Sequence, residues 1–327
     1  MKPRNPNAEP KPFIWIHIPR EAPQRSAPAT HERFTGLTGK LGLSFTVVSE
    51  YLFIGSGSYE FDPKARGDRP DVWYTFYRRN EQICVPGTSL KGAIRAIVEA
   101  ISNSCISQYR RRRDERVSPY HKPCQSMKKL CPACRLFGTT GFRGRVHFAD
   151  ALPAAEAGPT VVKISELWEP RISRGRKFYE VKQVPELPDS RPQRNCRFVE
   201  AMPKETRFCT TLHFENLIQA ELGLLFHALG WQVTEGDFDP HAFTPKLGGA
   251  KPRCFGAVEF NPLQLMLWKK SQSGLLQAEN LGQDPMKNLL TRCLEEARKT
   301  RILHEPSWQQ LIKGMQKQSR SCPRELY

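Results

Sequence analysis

Pro86-Gly-Thr-Ser-Leu-Lys-Gly-Ala-Ile-Arg-Ala-Ile-Val98 is the stretch from which the rest of the chain can be ordered. Pro-Gly marks a turn, and Thr88 or Ser89 then offers an N-cap for a helix predicted from Leu90 to about Arg113. Leu90, Ile94, Ile97, Val98, Ile101 and Cys105 fall on one stripe at helical spacing, with Lys91 and Arg95 on the opposite side. Lys91 stands in the first turn, where unpaired backbone N–H groups favour an anion, so it is a candidate phosphate contact. The plain alternative is an amphipathic core helix; the stripe is core on either reading.

The end of this helix carries the basic run Arg110, Arg111, Arg112 and Arg113, a solvated face in most proteins. Here its neighbours make all four arginines candidates for phosphate contact. His121-x2-Cys124-x6-Cys131-x2-Cys134 follows, and four soft donors in this span predict a closed, structural Zn2+ site. Reduced loop thiols or a redox pair are the alternatives. No thioredoxin-like βαβ pattern surrounds the motif, and four protein ligands leave no open position for catalysis. Gly144-Arg-Val-His-Phe-Ala-Asp150 reads as a turn and a strand, with Asp150 placed to orient a neighbour or cap a turn and His147 a sheet residue.

The composition narrows the partners. The chain has 327 residues, 39% of them apolar and 10% aromatic, enough for a substantial core. No run of about 18 apolar residues suggests a membrane span, and the first residues lack a signal-peptide core, so a cytoplasmic protein is expected. A formal charge of +17 and a pI near 9.6 favour a polyanion, nucleic acid before anionic membrane. Ten cysteines that include a Cys-x-x-Cys pair fit a metal and several reduced thiols better than a disulfide framework.

Residues 1–36 read as an arm, interrupted by the strand-prone burst Phe13-Ile-Trp-Ile-His-Ile18. Leu37 to Ile54 alternates as a strand, Gly55–Ser58 reads as a loop, and Tyr59–Asp71 as a mobile polar connection carrying Asp62, Asp68 and Asp71. Between 161 and 200, Arg171, Arg174, Arg176, Lys177, Lys182, Arg191 and Arg194 are interleaved with Trp168, Phe178 and Tyr179. Cations that track a backbone and rings that stack on bases suit single-stranded nucleic acid, so a protruding hairpin is predicted over a solvated loop. Thr206–Glu215 is a strand and Gln219–Leu229 an amphipathic helix. Two β–α pairs with antiparallel partners predict an α+β fold of the ferredoxin-like, RNA-recognition-motif kind. Lys246-Leu-Gly-Gly-Ala-Lys-Pro-Arg-Cys-Phe-Gly256 is a basic loop in which Gly248 and Gly249 let the backbone approach a phosphate while Lys251 and Arg253 add charge. It lacks the Gly-Lys-Ser/Thr ending of a Walker A loop. Residues 261–327 read as a basic helical extension.

Taken in order, Val85-Pro-Gly-Thr-Ser-Leu-Lys-Gly-Ala-Ile-Arg95, Cys131-Pro-Ala-Cys-Arg-Leu-Phe-Gly138, Gly144–Ala151, Phe214-Glu-Asn-Leu217 with Glu221-Leu-Gly-Leu-Leu225, and the loop 247–256 resemble the RAMP superfamily of CRISPR effector proteins, most closely the backbone subunits of type III complexes. The resemblance covers roughly residues 40–260. It implies a modified RNA-recognition-motif domain over 37–260, with a zinc-bearing insertion at 114–136 and a thumb at 160–205. Val199–Phe208 would be the strand returning from the thumb. Such subunits stack along a guide RNA beside other effector subunits and kink its duplex with target RNA. In many relatives an aspartate before the Pro-Gly helix cuts the target with Mg2+ or Mn2+; Asp71 matches that position best, with Asp68 and Asp62 next. The Gly-Gly-x-Asp context of that aspartate is missing, Cys254 replaces a usual glycine, and Ile54-Gly-Ser-Gly57 is similar to the opening of cap subunits. A non-catalytic structural or cap subunit is therefore the first alternative. The second, a metal-independent guide-processing endoribonuclease, needs a histidine base near the Gly-rich loop, and this counts against it, since His17 and His31 sit in or near the arm and His213 lies on a strand. An unrelated zinc-knuckle RNA-binding protein is the third.

Overall fold

The computed structural model describes residues 11–108, 118–167, 175–184, 191–271 and 274–323. We number the principal elements in chain order. Ahead of the first long helix are β1 (Phe13–Ile16), β2 (Leu37–Val47), β3 (Gly55–Phe61) and β4 (Val72–Phe76). Next come α1 (Gly87–Ile101), α2 (Pro132–Phe137), β5 (Val146–Phe148), β6 (Thr160–Ser165), β7 (Arg176–Tyr179), β8 (Val181–Gln183), β9 (Cys196–Pro203), β10 (Arg207–Leu217) and α3 (Gln219–Ala228). The C-terminal part holds β11 (Val258–Lys270), β12 (Leu276–Leu281), α4 (Gln283–Lys299), α5 (Glu305–Met315) and β13 (Lys317–Ser321).

The protein is a mixed α+β structure. Its central sheet has the order β5-β10-β2-β11-β12, every neighbouring pair antiparallel. β2 and β5 therefore run parallel with β10 between them, and α1 makes the crossover. Leu41, Leu43, Phe45 and Val47 on β2 are all fully buried, as the alternation predicts. Phe45 stacks on Phe208 of β10 at 5.2 Å and meets Phe260 of β11 at 5.3 Å, which fixes the register across three strands. Leu90, Ile94, Ile97, Val98 and Ile101 of α1 are buried in the same core.

Helix α1 ends at Ile101, well short of the stop predicted near Arg113. The Ser102 hydroxyl donates to the Val98 carbonyl at 2.6 Å and Asn103 turns to φ 46°, so local side-chain chemistry wins over the apolar stripe. Cys105 thereby leaves the helix. The basic run Arg110, Arg111, Arg112 and Arg113 is separated from α1 by this stop, and all four of these expected phosphate contacts lie outside the described residues.

Gly55–Ser58, expected as a loop, begins β3, and the polar connection after it closes a β3–β4 hairpin. This hairpin joins a second sheet of order β6-β9-β4-β3. β6 and β9 form the base of the segment expected as the thumb. β9 and β10 are separate strands in different sheets, divided by a turn with Glu205 at φ 67°, so Val199–Phe208 is not one returning strand. Between them, β7 pairs antiparallel with β1 of the N-terminal arm, and β8 pairs parallel with β13 near the C-terminus.

The boundary expected at residue 260 falls inside β11, which absorbs Pro262 by a register shift and runs on to Lys270. The extension is not purely helical: β12 enlarges the central sheet and α4 covers α3. Met286, Leu289, Leu290, Cys293, Leu294 and Ala297 make the buried face of α4, a burial on the order of 10 kcal/mol before entropy is counted. The contact is tight because Gly223 has no side chain; a Cβ there would stand 1.8 Å from the Cys293 carbonyl oxygen. Covered on both faces, α3 is buried nearly all round rather than amphipathic. Cys254 and Cys322 form a disulfide between the Gly-rich loop and the C-terminal segment, while the other eight cysteines are free, in line with the expected several reduced thiols.

Candidate nucleic-acid groove and metal centre

Three walls enclose a groove of about 420 Å³. The first is the start of α1, where Thr88, Ser89 and Gly92 face the opening. Pro86, not Thr88 or Ser89, occupies the N-cap, and the Gly87 N–H donates to the Asp150 carboxylate at 2.8 Å. Asp150, also paired with Arg79 at 2.5 Å, thus fixes the helix start from just beyond β5. The second wall is the Gly-rich loop. Gly248 sits at φ +71° and a Cβ there would reach 2.1 Å from the Phe53 carbonyl oxygen, so only glycine lets the loop lie on Phe53. The Gly249 N–H donates to that carbonyl at 2.8 Å. Lys177 and Tyr179 of β7 make the third wall, and Ile54, Ile97 and Met315 the apolar floor.

Lysines dominate the electrostatics. Lys246 is 4% exposed, and its ammonium has no hydrogen-bond partner among the described residues. Burial first, then the charge of Lys251, outweighs the attraction of Glu180 and pushes its pKa down to about 7. Burial pushes Lys251 down to about 8. Lys177 is lowered in the same direction by burial; its ammonium lies 4.0 Å from the Phe13 ring centre and 4.8 Å from that of Tyr179. No carboxylate lines the groove among the described residues. An anion entering it would meet unneutralised ammonium groups, backbone at a Gly-Gly turn and two aromatic residues, Phe178 and Tyr179.

Of the residues expected at an RNA site, Lys177, Gly248, Gly249 and Lys251 are brought together here. Lys91 is half-buried on α1 outside the groove lining, its pKa lowered by burial and then by Arg95. Arg95 turns away, with Nε 2.9 Å from Glu99 and Nη2 3.7 Å from the Cys134 sulfur. Arg176 is buried and donates to the Ser104 carbonyl. Arg253 reaches the carbonyls of Ser165 at 3.3 Å and Glu166 at 3.0 Å, tying the loop to the end of β6. Arg174, like Arg110, Arg111, Arg112 and Arg113, lies outside the described residues. Lys246 was missed as a site residue, although it immediately precedes the Leu-Gly-Gly turn; its importance comes from burial, which sequence does not display.

The aspartates ride on the β3–β4 hairpin. The Asp62 N–H donates to the Asp71 carbonyl at 2.9 Å and closes the loop. Asp68 is paired with Arg191 at 2.6 Å, whereas the exposed Asp71 carboxylate has no hydrogen bond or ion pair among the described residues. Gly55 lines the groove and pairs with Phe76 at the hairpin base, so Asp71 stands a strand's length away, roughly 16 Å along β4. The candidate histidines stand elsewhere. His31 is held by Glu215 at 2.7 Å, His213 faces His147 across the sheet, and the exposed His17 donates its backbone N–H to Gln310.

The four sulfurs of Cys105, Cys124, Cys131 and Cys134 lie within 4.8 Å of one another and all four residues are buried. Cys105 takes the place expected for His121. The His121 Nε2 meets Asn103 Oδ1 at 2.8 Å, and burial, with Arg176 and Arg25 nearby, lowers its pKa to about 4. The early stop of α1 is the cause, because it swings Cys105 out of the stripe and into the cluster. The Cys105 sulfur is 3.5 Å from that of Cys134 and 3.6 Å from that of Cys131. A tetrahedron with 2.3 Å metal–sulfur bonds has edges of about 3.8 Å, so the donor set fits a metal such as zinc. The Cys131 N–H approaches the Cys124 sulfur at 3.5 Å, and the thiol of Cys124 is shifted down, first by its hydrogen bond with Cys105.

The fold and the groove define a basic α+β protein with a buried cluster of four cysteines that could hold a metal. The sequence profile of the RAMP superfamily matches residues 44–259, from within β2 to within β11, and the chain belongs to that superfamily. Its members are associated with CRISPR–Cas effector complexes and bind RNA and other Cas subunits. No curated protein matches the chain. No helix among the described residues is long and apolar enough to cross a membrane.

Proposed function

We propose that this chain is an RNA-binding subunit of a type III CRISPR effector complex, a cytoplasmic assembly in which it holds the guide-RNA backbone along the groove between α1, the Gly-rich loop and β7. The observation that carries this reading is Lys246, a buried ammonium without a hydrogen-bonded counter-charge among the described residues, in a groove lined by no acid. Burying a cation unpaired is unfavourable, and a phosphate would relieve it. The strand order supports a ferredoxin-like, RNA-recognition-motif-type domain, since β2-α1-β5-β10-α3-β11 is a βαββαβ unit with antiparallel neighbours. The segment between β6 and β9 is the thumb that would kink the guide–target duplex. Cys105, Cys124, Cys131 and Cys134 hold a structural Zn2+. The arginines at 110, 111, 112 and 113, outside the described residues, remain candidates for phosphate contact on their charge alone.

Cleavage of target RNA is assigned to Asp71 with Mg2+ or Mn2+. The support is its exposed carboxylate, which has no hydrogen bond or ion pair among the described residues, in contrast to Asp68, which Arg191 engages. The test is target-RNA cleavage by the reconstituted complex with Mg2+, comparing wild type, Asp71→Ala and Lys246→Met. Loss of one cut in a regular ladder with Asp71→Ala, while assembly persists, supports a nuclease. Survival of every cut makes the chain a scaffold or cap. Guide binding unchanged by Lys246→Met removes the groove from the interface.

A further inference from the structure

Three guanidinium groups from separate parts of the chain converge on the four thiols. Arg25, on the N-terminal arm, places Nε 3.5 Å from the Cys124 sulfur and donates from Nη2 to the Tyr120 carbonyl at 2.7 Å. Arg95, on α1, places Nη2 3.7 Å from the Cys134 sulfur. Arg176, the first residue of β7, is 8% exposed and donates to the carbonyl of Ser104, the neighbour of Cys105. Its Nε and Nη1 have no hydrogen-bond partner among the described residues, and its charge is felt at Cys105 and Cys131. A buried guanidinium with two unpaired N–H groups is unfavourable unless negative charge stands near it.

A divalent ion on four thiolates is a dianion. The carboxylate in this group is Glu99, buried, 2.9 Å from Arg95 and accepting the Ser107 N–H at 3.3 Å. Three guanidinium charges less this carboxylate leave two positive charges, which match the loaded centre. The empty thiolates would carry twice that negative charge, and a centre of one histidine and three thiolates half of it. The same cluster draws together segments that are remote in sequence. Ser26 exchanges backbone hydrogen bonds of 3.0 and 2.8 Å with Leu130, beside Cys131, and the Asn103 side chain donates to the Glu21 carbonyl at 3.2 Å. β1 of the same arm pairs with β7, whose Lys177 and Tyr179 form one wall of the groove.

We infer that Arg25, Arg95 and Arg176 are the charge-balancing shell of the tetrathiolate centre, so that metal loading seats the N-terminal arm and the groove strand β7 together. The inference rests on the metal reading above. It makes the centre a determinant of groove geometry rather than only a brace for its own loop.

The experiment uses the full chain under reducing conditions, with zinc affinity measured by competition against a chromophoric chelator. Arg25→Met and Arg176→Met are each expected to weaken zinc binding about 10–100-fold, the usual cost of losing a group that supports metal ligands. Arg176→Lys recovers part of the affinity, and Arg298→Met, on α4, leaves it unchanged. Hydrogen exchange of the unmodified chain should slow at residues 13–16 and 176–179 when zinc is added to stripped protein. If the unmodified chain takes up neither zinc nor cobalt, the metal reading itself fails. If it binds zinc and both methionine variants bind equally well, or Arg298→Met weakens binding as much, the shell is refuted while the metal site stands. Exchange that does not respond to zinc refutes the coupling even if Arg176→Met fails to fold.

Discussion

Buried lysines give RNA binding a pH dependence that exposed ones would not. With Lys246 near 7 and Lys251 near 8, both are charged at pH 6, and by pH 8.5 Lys246 is largely neutral and Lys251 mostly so. A bound phosphate favours the charged forms, so binding above these values must first take up protons. At pH 8.5 the deprotonated fraction weakens affinity by about 30-fold through Lys246 and about 4-fold through Lys251, roughly 100-fold together relative to pH 6. The sign is fixed: affinity falls as pH rises. Fluorescence anisotropy with a labelled single-stranded RNA, at constant low ionic strength because salt weakens phosphate contacts, reads it directly. Lys246→Arg stays charged throughout and should retain only the roughly 4-fold slope of Lys251. Affinity that is flat from pH 6 to 8.5 in the wild type, or an identical slope in Lys246→Arg, would refute the assignment of a buried unpaired ammonium to the phosphate path.

Three other outcomes follow from the packing. Cys105→Ser should weaken and shift the thiolate-to-metal charge-transfer band of cobalt-loaded protein, whereas His121→Ala should leave it unchanged; the reverse result would restore the histidine as ligand. Gly223→Val should cost at least about 1–3 kcal/mol in urea unfolding, since its side chain would drive α3 off the Cys293 carbonyl. Cys322→Ser should lower stability by about 2–4 kcal/mol without reductant, and adding reductant to wild type should reproduce the loss.

Much of the core could be read directly because its signals are local. The β2 alternation and the stripe from Leu90 to Ile101 survive intact. What failed was set by contacts remote in sequence or by competing local bonds. Cys105 continued the stripe in the sequence pattern, yet Ser102 and Asn103 stopped the helix and turned the thiol into the four-cysteine cluster. α3 read as amphipathic because nothing in residues 219–229 announces a second cover, which arrives some sixty residues later as α4. The β3 strand was hidden because its hairpin is exposed and carries Gly55-Ser-Gly-Ser in place of an apolar run. In the groove, Gly248, Gly249 and Lys251 were legible from the loop composition. Lys246 was not, because the same residue type on a surface would be unremarkable.

The +17 charge pointed to a polyanion, but it did not say which cations would meet one. Several arginines are drawn inward. Arg145, 1% exposed, donates to the Arg135 and Asn216 carbonyls and to Glu221, while Arg253 braces two carbonyls at the end of β6. A guanidinium has five donors in a fixed fork and cannot shed its proton, so it is suited to satisfy several internal acceptors at once. An ammonium can be left unpaired in a tight place because deprotonation limits the cost. The groove accordingly carries Lys177, Lys246 and Lys251 and, among the described residues, no arginine. On the proposed reading, this division would make a phosphate-binding wall adjustable by pH while the arginine framework stays charged, and a count of basic residues would overstate the contacts available to RNA. A charge-preserving Lys246→Arg exchange therefore tests more than one residue: if the arginine simply finds internal carbonyls, as Arg253 does, RNA affinity will drop at pH 6 even though the net charge is unchanged.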